Sequence, residues 1–114
     1  MLLTTHTIYL IGVFILHFIG DFILQADKMA LNRSTSNKWL SLHVSVYSLC
    51  FLCTGNLYFV FWNGVIHFIT DYITSRISAY FYKKEMRHEF FVTIGADQTI
   101  HALTLIILAE IFLT

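Results

Sequence analysis

His17-Phe-Ile-Gly-Asp21-Phe-Ile23 returns fifty residues later as His67-Phe-Ile-Thr-Asp71-Tyr-Ile73. Five of the seven positions are identical, and a sixth exchanges Phe for Tyr. Each copy lies in a long apolar segment, and each keeps a His and an Asp four residues apart. On a helix that spacing puts both side chains on one face. Two rare polar residues duplicated in an apolar background mark an internal repeat. They also suggest two helical hairpins related by a pseudo-twofold axis along a membrane normal.

The composition around the repeat fits a bilayer. The chain has 114 residues, 57% hydrophobic and only 12% charged, with no proline and a mean hydropathy of +0.69. A soluble domain carries about 25% charged residues. The length allows a single domain, 1–114. The net charge of zero gives no basis for a nucleic-acid partner. Met1–Thr5 lacks a basic stretch, so the first apolar segment reads as a retained span, not a cleaved signal.

Four transmembrane helices are expected, at about 3–24, 39–54, 57–82 and 93–113, each near the ~20 residues that cross a hydrocarbon core. The predicted fold class is therefore an all-α membrane protein, a four-helix bundle of two repeated hairpins. Gln25–Lys38 is polar and rich in Ser and Asn, so it reads as a loop or a surface helix. Gly55-Asn56 is a turn signal that closes the second hairpin, and Lys83–Glu89 is a second charged connection. Lys28, Arg33 and Lys38 fall in the first polar stretch, and Arg76, Lys83, Lys84 and Arg87 in or beside the second. The positive-inside rule assigns both to the cytoplasm and both termini to the outer side. The expected location is a multi-pass position in the cytoplasmic membrane, with lipids as partners. Gly12 and Gly20 leave room for a homo-oligomer, although they do not form a G-x-x-x-G pair.

The remaining intramembrane polar residues complete the repeat. Asp97 and His101 give the same spacing in reverse on the fourth helix, with Gln98 beside them. The second helix contributes His43, with Tyr47 one turn away. Gln25 and Asn63 extend the His17/Asp21 and His67/Asp71 faces by a turn. At 1.5 Å per residue these groups share the cytoplasmic half of the membrane. Three Asp at such depth cost on the order of 8–10 kcal/mol, less near the interface. His–Asp hydrogen bonds offset part of this, at about 0.6–2 kcal/mol each. A divalent cation, ligated by carboxylates and neutral imidazoles, offsets it more fully. The expected metal ligands are His17, Asp21, His43, His67, Asp71, Asp97 and His101, around one or two ions. Zinc is the expected metal, with manganese or iron as alternatives. Asp21, Asp71 and Asp97 are the expected catalytic carboxylates. Cys50 and Cys53, His6, His88 and Glu110 read as packing or interfacial residues.

The pattern His17-x-x-x-Asp21-Phe22-x-Leu24-Gln25, then Lys38, His43, Tyr47, His67-x-x-x-Asp71 and Asp97-Gln98-x-x-His101 resembles domain of unknown function 3307, a family of small bacterial and phage membrane proteins. The resemblance spans nearly the whole chain and implies an integral membrane protein without an assigned reaction. A weaker similarity, in size and His/Asp usage, is to membrane-bound metal-dependent hydrolases. It implies hydrolysis. The expected function is a metal-dependent hydrolase acting on a lipid or membrane-embedded (phospho)ester near the cytoplasmic leaflet. The alternatives are proton or metal-ion transport, and a non-catalytic membrane module with a structural metal.

Overall fold

A computed structural model describes residues 2–113, and within them the chain is all α. Helix α1 runs Thr5–Phe18 and continues as a single π-helical turn, Ile19–Ile23. A short helix α2, Asp27–Asn32, lies within the polar stretch after it. Helix α3 spans Asn37–Cys50 and tightens into a 3₁₀ turn at Phe51–Thr54. Helices α4, Leu57–Lys83, and α5, Arg87–Phe112, form a long hairpin.

The ends of these helices follow from local chemistry. Thr4 and Asn56 cap α1 and α4 by accepting from the backbone N–H groups of Thr7 and Phe59. Gly55 adopts a left-handed conformation, φ 72°, which lets the chain reverse in the expected two-residue turn. Asn56 also donates through Nδ2 to the Phe112 carbonyl at 2.9 Å, tying that turn to the end of α5. The connection between α4 and α5 is tighter than the expected Lys83–Glu89 stretch. It leaves only residues 84–86 outside the helices, with Glu85 at φ 58°. Accordingly α5 starts at Arg87, six residues earlier than expected from its apolar run, because its charged first turn is helical as well.

The two copies of the repeat are not equivalent in backbone. The copy on α4 sits inside an unbroken helix, whereas the copy on α1 widens into the π turn after Phe18. There the Leu24 N–H bonds to the Ile19 carbonyl, five residues back, at 2.9 Å. Gly20 allows this turn to press against α3: a Cβ there would stand 3.1 Å from Tyr47 Cδ2 and 3.3 Å from Tyr47 Cα.

Burial is inverted relative to a water-soluble domain. Eleven buried side chains among the described residues are polar or charged, against ten that are hydrophobic. Large apolar side chains face outward along whole helices, among them Ile8, Ile11, Ile15 and Phe18 on α1 and Leu103, Ile107 and Ile111 on α5. Two stretches, Thr5–Ile23 and Arg87–Phe112, are long and apolar enough to cross a membrane. The interior has two layers. Val13, Phe51, Phe59, Leu105, Leu108 and Ala109 form an apolar layer near the Gly55 turn, bounded by Tyr47. The polar layer lies on the other side of Tyr47.

Candidate metal centre

Each helix of the bundle supplies the polar layer from one inward face. The π turn after α1 carries Asp21, and α3 carries His43. Helix α4 carries His67 and Asp71 one turn apart, and α5 carries Asp97 and His101 one turn apart. All six are buried. His43 is fully enclosed, and Asp21, His67, Asp71 and His101 are no more than 3% exposed.

Four donor atoms converge on one point. Asp21 Oδ1 lies 3.0 Å from His43 Nε2 and 3.5 Å from His67 Nε2. Asp71 Oδ2 lies 3.2 Å and 3.1 Å from the same two nitrogens, and the nitrogens are 3.4 Å apart. Four ligands at 2.0–2.1 Å from a tetrahedral zinc stand about 3.3–3.4 Å from one another. Five of the six edges of this quartet are therefore close to tetrahedral length. The sixth, between the two carboxylates, is within 4.8 Å. Hydrogen bonding accounts for only part of the convergence. Asp21 Oδ1 is buried and accepts no hydrogen bond, despite its short approaches to two imidazoles. His43 Nδ1 and His67 Nδ1 are likewise buried without a partner, so both rings direct their contacts through Nε2. The His67 ring is held in place by stacking, its centroid 3.8 Å from that of Tyr47 and 4.1 Å from that of His101.

A second group shares Asp71. Its other oxygen, Oδ1, is 3.0 Å from His101 Nε2, which is 3.3 Å from Asp97 Oδ1. Asp71, Asp97 and His101 thus form a three-residue set beside the quartet. Asp71 turns one oxygen to each group. Thr74, one turn from Asp71, donates its hydroxyl to Asp97 Oδ1.

Gln98 connects the two groups. Its Nε2 donates to Asp97 Oδ2 at 3.0 Å and to Asp21 Oδ2 at 3.4 Å, and its Oε1 accepts from His17 Nε2 at 3.2 Å. That bond places the His17 proton on Nε2. His17 Nδ1 then accepts from the Tyr47 hydroxyl at 2.9 Å, which in turn accepts from Asn63 Nδ2 at 3.4 Å. His17 therefore stands beside the quartet, 3.7 Å from Asp21 Oδ2, with both ring nitrogens engaged in this chain of bonds. The structure brings the other six expected ligands into the two groups.

Sequence reasoning missed two neighbours of the centre. Arg33 reaches in from just beyond α2 and donates from Nη1 to Asp71 Oδ2 at 3.4 Å. Nothing in its polar surroundings distinguishes it from a solvated loop residue. Thr74 could have been found, because it continues the Asp71 face at i+3. Gln25, expected to extend the His17/Asp21 face, is half-buried with its Oε1 unpartnered, since the helix ends before reaching it. At the far end of the bundle His6 Nε2 pairs with Glu110 at 3.2 Å, and His88 is exposed.

No curated protein and no solved structure matches the chain. A family match covers residues 9–114, which include every residue of both groups; the chain belongs to the family described as protein of unknown function (DUF3307).

Proposed function

We propose that the chain is an integral membrane protein that binds two divalent ions and hydrolyses a lipid or membrane-embedded phosphoester near the cytoplasmic leaflet. The carrying observation is the shared carboxylate of Asp71. One oxygen belongs to a quartet with near-tetrahedral edges, and the other to a three-residue set. Four protein ligands describe a closed site that fixes an ion, while three leave a position for water or substrate, as in catalytic zinc sites. Asp71 would serve both ions, and a metal pair so held would supply charge stabilisation for phosphoester hydrolysis. The ions would supply a water whose pKa is lowered toward ~7. Asp97, held by Thr74 and Gln98, would complete the three-residue set as a ligand.

The membrane assignment is supported by the buried polar layer and the outward apolar side chains. In water this arrangement would expose its greasy surface. In lipid it satisfies both. The basic residues of the α2 region and of the α4–α5 end argue for a cytoplasmic orientation of the centre. Transport is disfavoured by the apolar layer of Val13, Phe51, Phe59, Leu105 and Leu108, which closes the bundle on the opposite side.

A structural metal in the quartet alone is the second reading, favoured by its four ligands and near-complete burial. Elemental analysis of protein purified in neutral detergent separates the two. Two ions per chain, zinc foremost, are expected for the hydrolase. One ion per chain, retained in Asp97→Ala, would make the metal structural, and none would end both readings.

A further inference from the structure

A cleft of about 290 Å³ opens beside the metal centre, between the α2 region and the α4–α5 hairpin. Its polar wall is made by Arg33, Lys83, Ser34, Ser75 and Ser78, and no carboxylate lines it. Two cations and three serine hydroxyls without an acidic residue form a donor-rich surface of the kind that receives phosphate oxygens.

Three further features point to a ligand. Ser75 is 7% exposed, and its Oγ has no hydrogen-bond partner. A helical serine ordinarily bonds back to the carbonyl one turn earlier, as Ser45 does here with Ser41. Lys83 makes no ion pair or hydrogen bond among the described residues. Its basic neighbours are committed elsewhere: Arg76 bonds Asn37 and stacks on Tyr72, and Lys84 lies over the Tyr80 ring. Arg33 joins the cleft to the centre, since it lines the one and donates to Asp71 Oδ2 in the other. Ser75 itself stands one helical turn beyond Asp71.

The apolar side carries Phe90 and Ile94, and the volume is near the lower limit of about 300–1,000 Å³ for small-molecule sites. It suits a headgroup, not a whole lipid. We propose that this cleft is a phosphate-binding site that seats the phosphate of an anionic lipid headgroup against Ser75 and Lys83, with Arg33 standing between it and Asp71. For the use made of the bound group, this rests on the hydrolase reading; for its existence it does not.

The test measures binding in phosphatidylcholine nanodiscs containing the full chain. One arm adds inorganic phosphate, and the other incorporates phosphatidic acid at a few mole per cent. Metal content is determined on the same samples, and metal-free protein is run in parallel. Phosphatidic acid should bind the wild type, with inorganic phosphate competing. Ser75→Ala and Lys83→Gln should each weaken binding about tenfold, and Lys84→Gln, an equal change of charge outside the cleft, should leave it unchanged. Binding of inorganic phosphate alone, with the same dependence on Ser75 and Lys83, would overturn the lipid source. No binding, or equal loss in Lys83→Gln and Lys84→Gln, would overturn the site. A chain that takes up no metal yet passes this test loses the hydrolase reading and keeps the phosphate site.

Discussion

Asp71 and Gly20 show how much depends on single residues. Because Asp71 contributes to both groups, Asp71→Ala should remove all stoichiometric metal. Asp97→Ala should remove only the ion of the three-residue set. Elemental analysis of the two variants beside wild type checks both expectations, and equal loss in the two would contradict a shared carboxylate. The glycines offer a second contrast. A Cβ on Gly64 would come within 2.6 Å of Ser48 Oγ, closer than any contact at Gly20. Yet Ser48 can rotate, whereas at Gly20 the obstacle includes Tyr47 Cα. Gly20→Ala should cost about 1–3 kcal/mol and Gly64→Ala less, as read from thermal unfolding in detergent. The shorter distance should give the smaller effect.

Among the elements, the end of the bundle near Asn56 and the polar layer should be separable. Asn56 caps α4 and also holds the last turn of α5. Asn56→Ala should destabilise the protein by about 1–2 kcal/mol while leaving metal content unchanged, since the apolar layer stands between the two. Reduced metal in the folded variant would mean that the layers are coupled. The helices themselves were legible from sequence because apolar runs, the Gly55-Asn56 turn and the polar stretches punctuate the chain plainly. The π turn was not. A regular helix and a π turn share the same apolar pattern over five residues, and the wider turn coincides with the approach of Gly20 to Tyr47. That contact joins residues far apart in the chain. The i,i+4 pairs likewise put His and Asp on the right faces without revealing that His17 is taken up by Tyr47 and Gln98. Arg33 escaped notice because an arginine in a polar loop carries no periodicity.

For the whole molecule, the arrangement of polar interior and apolar exterior makes the membrane reading testable without any activity. The protein should sediment with membranes and resist alkaline extraction, and release into the soluble fraction would count against it. Cys53 is exposed near the Gly55 turn. In a Cys50→Ser background it should react with a membrane-impermeant maleimide added to spheroplasts. A cysteine at Lys84, in a chain lacking both native cysteines, should react only after the membrane is opened. The reverse pattern would invert the proposed topology.

The apolar layer has one more consequence, concerning supply. With Val13, Phe51, Phe59, Leu105 and Leu108 packed on one side, the centre would, in the proposed reading, be a dead end and not a passage. In the proposed orientation its ions can be drawn only from the cytoplasmic pool and surrendered only to it. A chelator confined to the outer compartment should leave the bound metal in place, however strong it is. The protein's occupancy would then follow the cell's internal metal availability, whatever the surroundings contain.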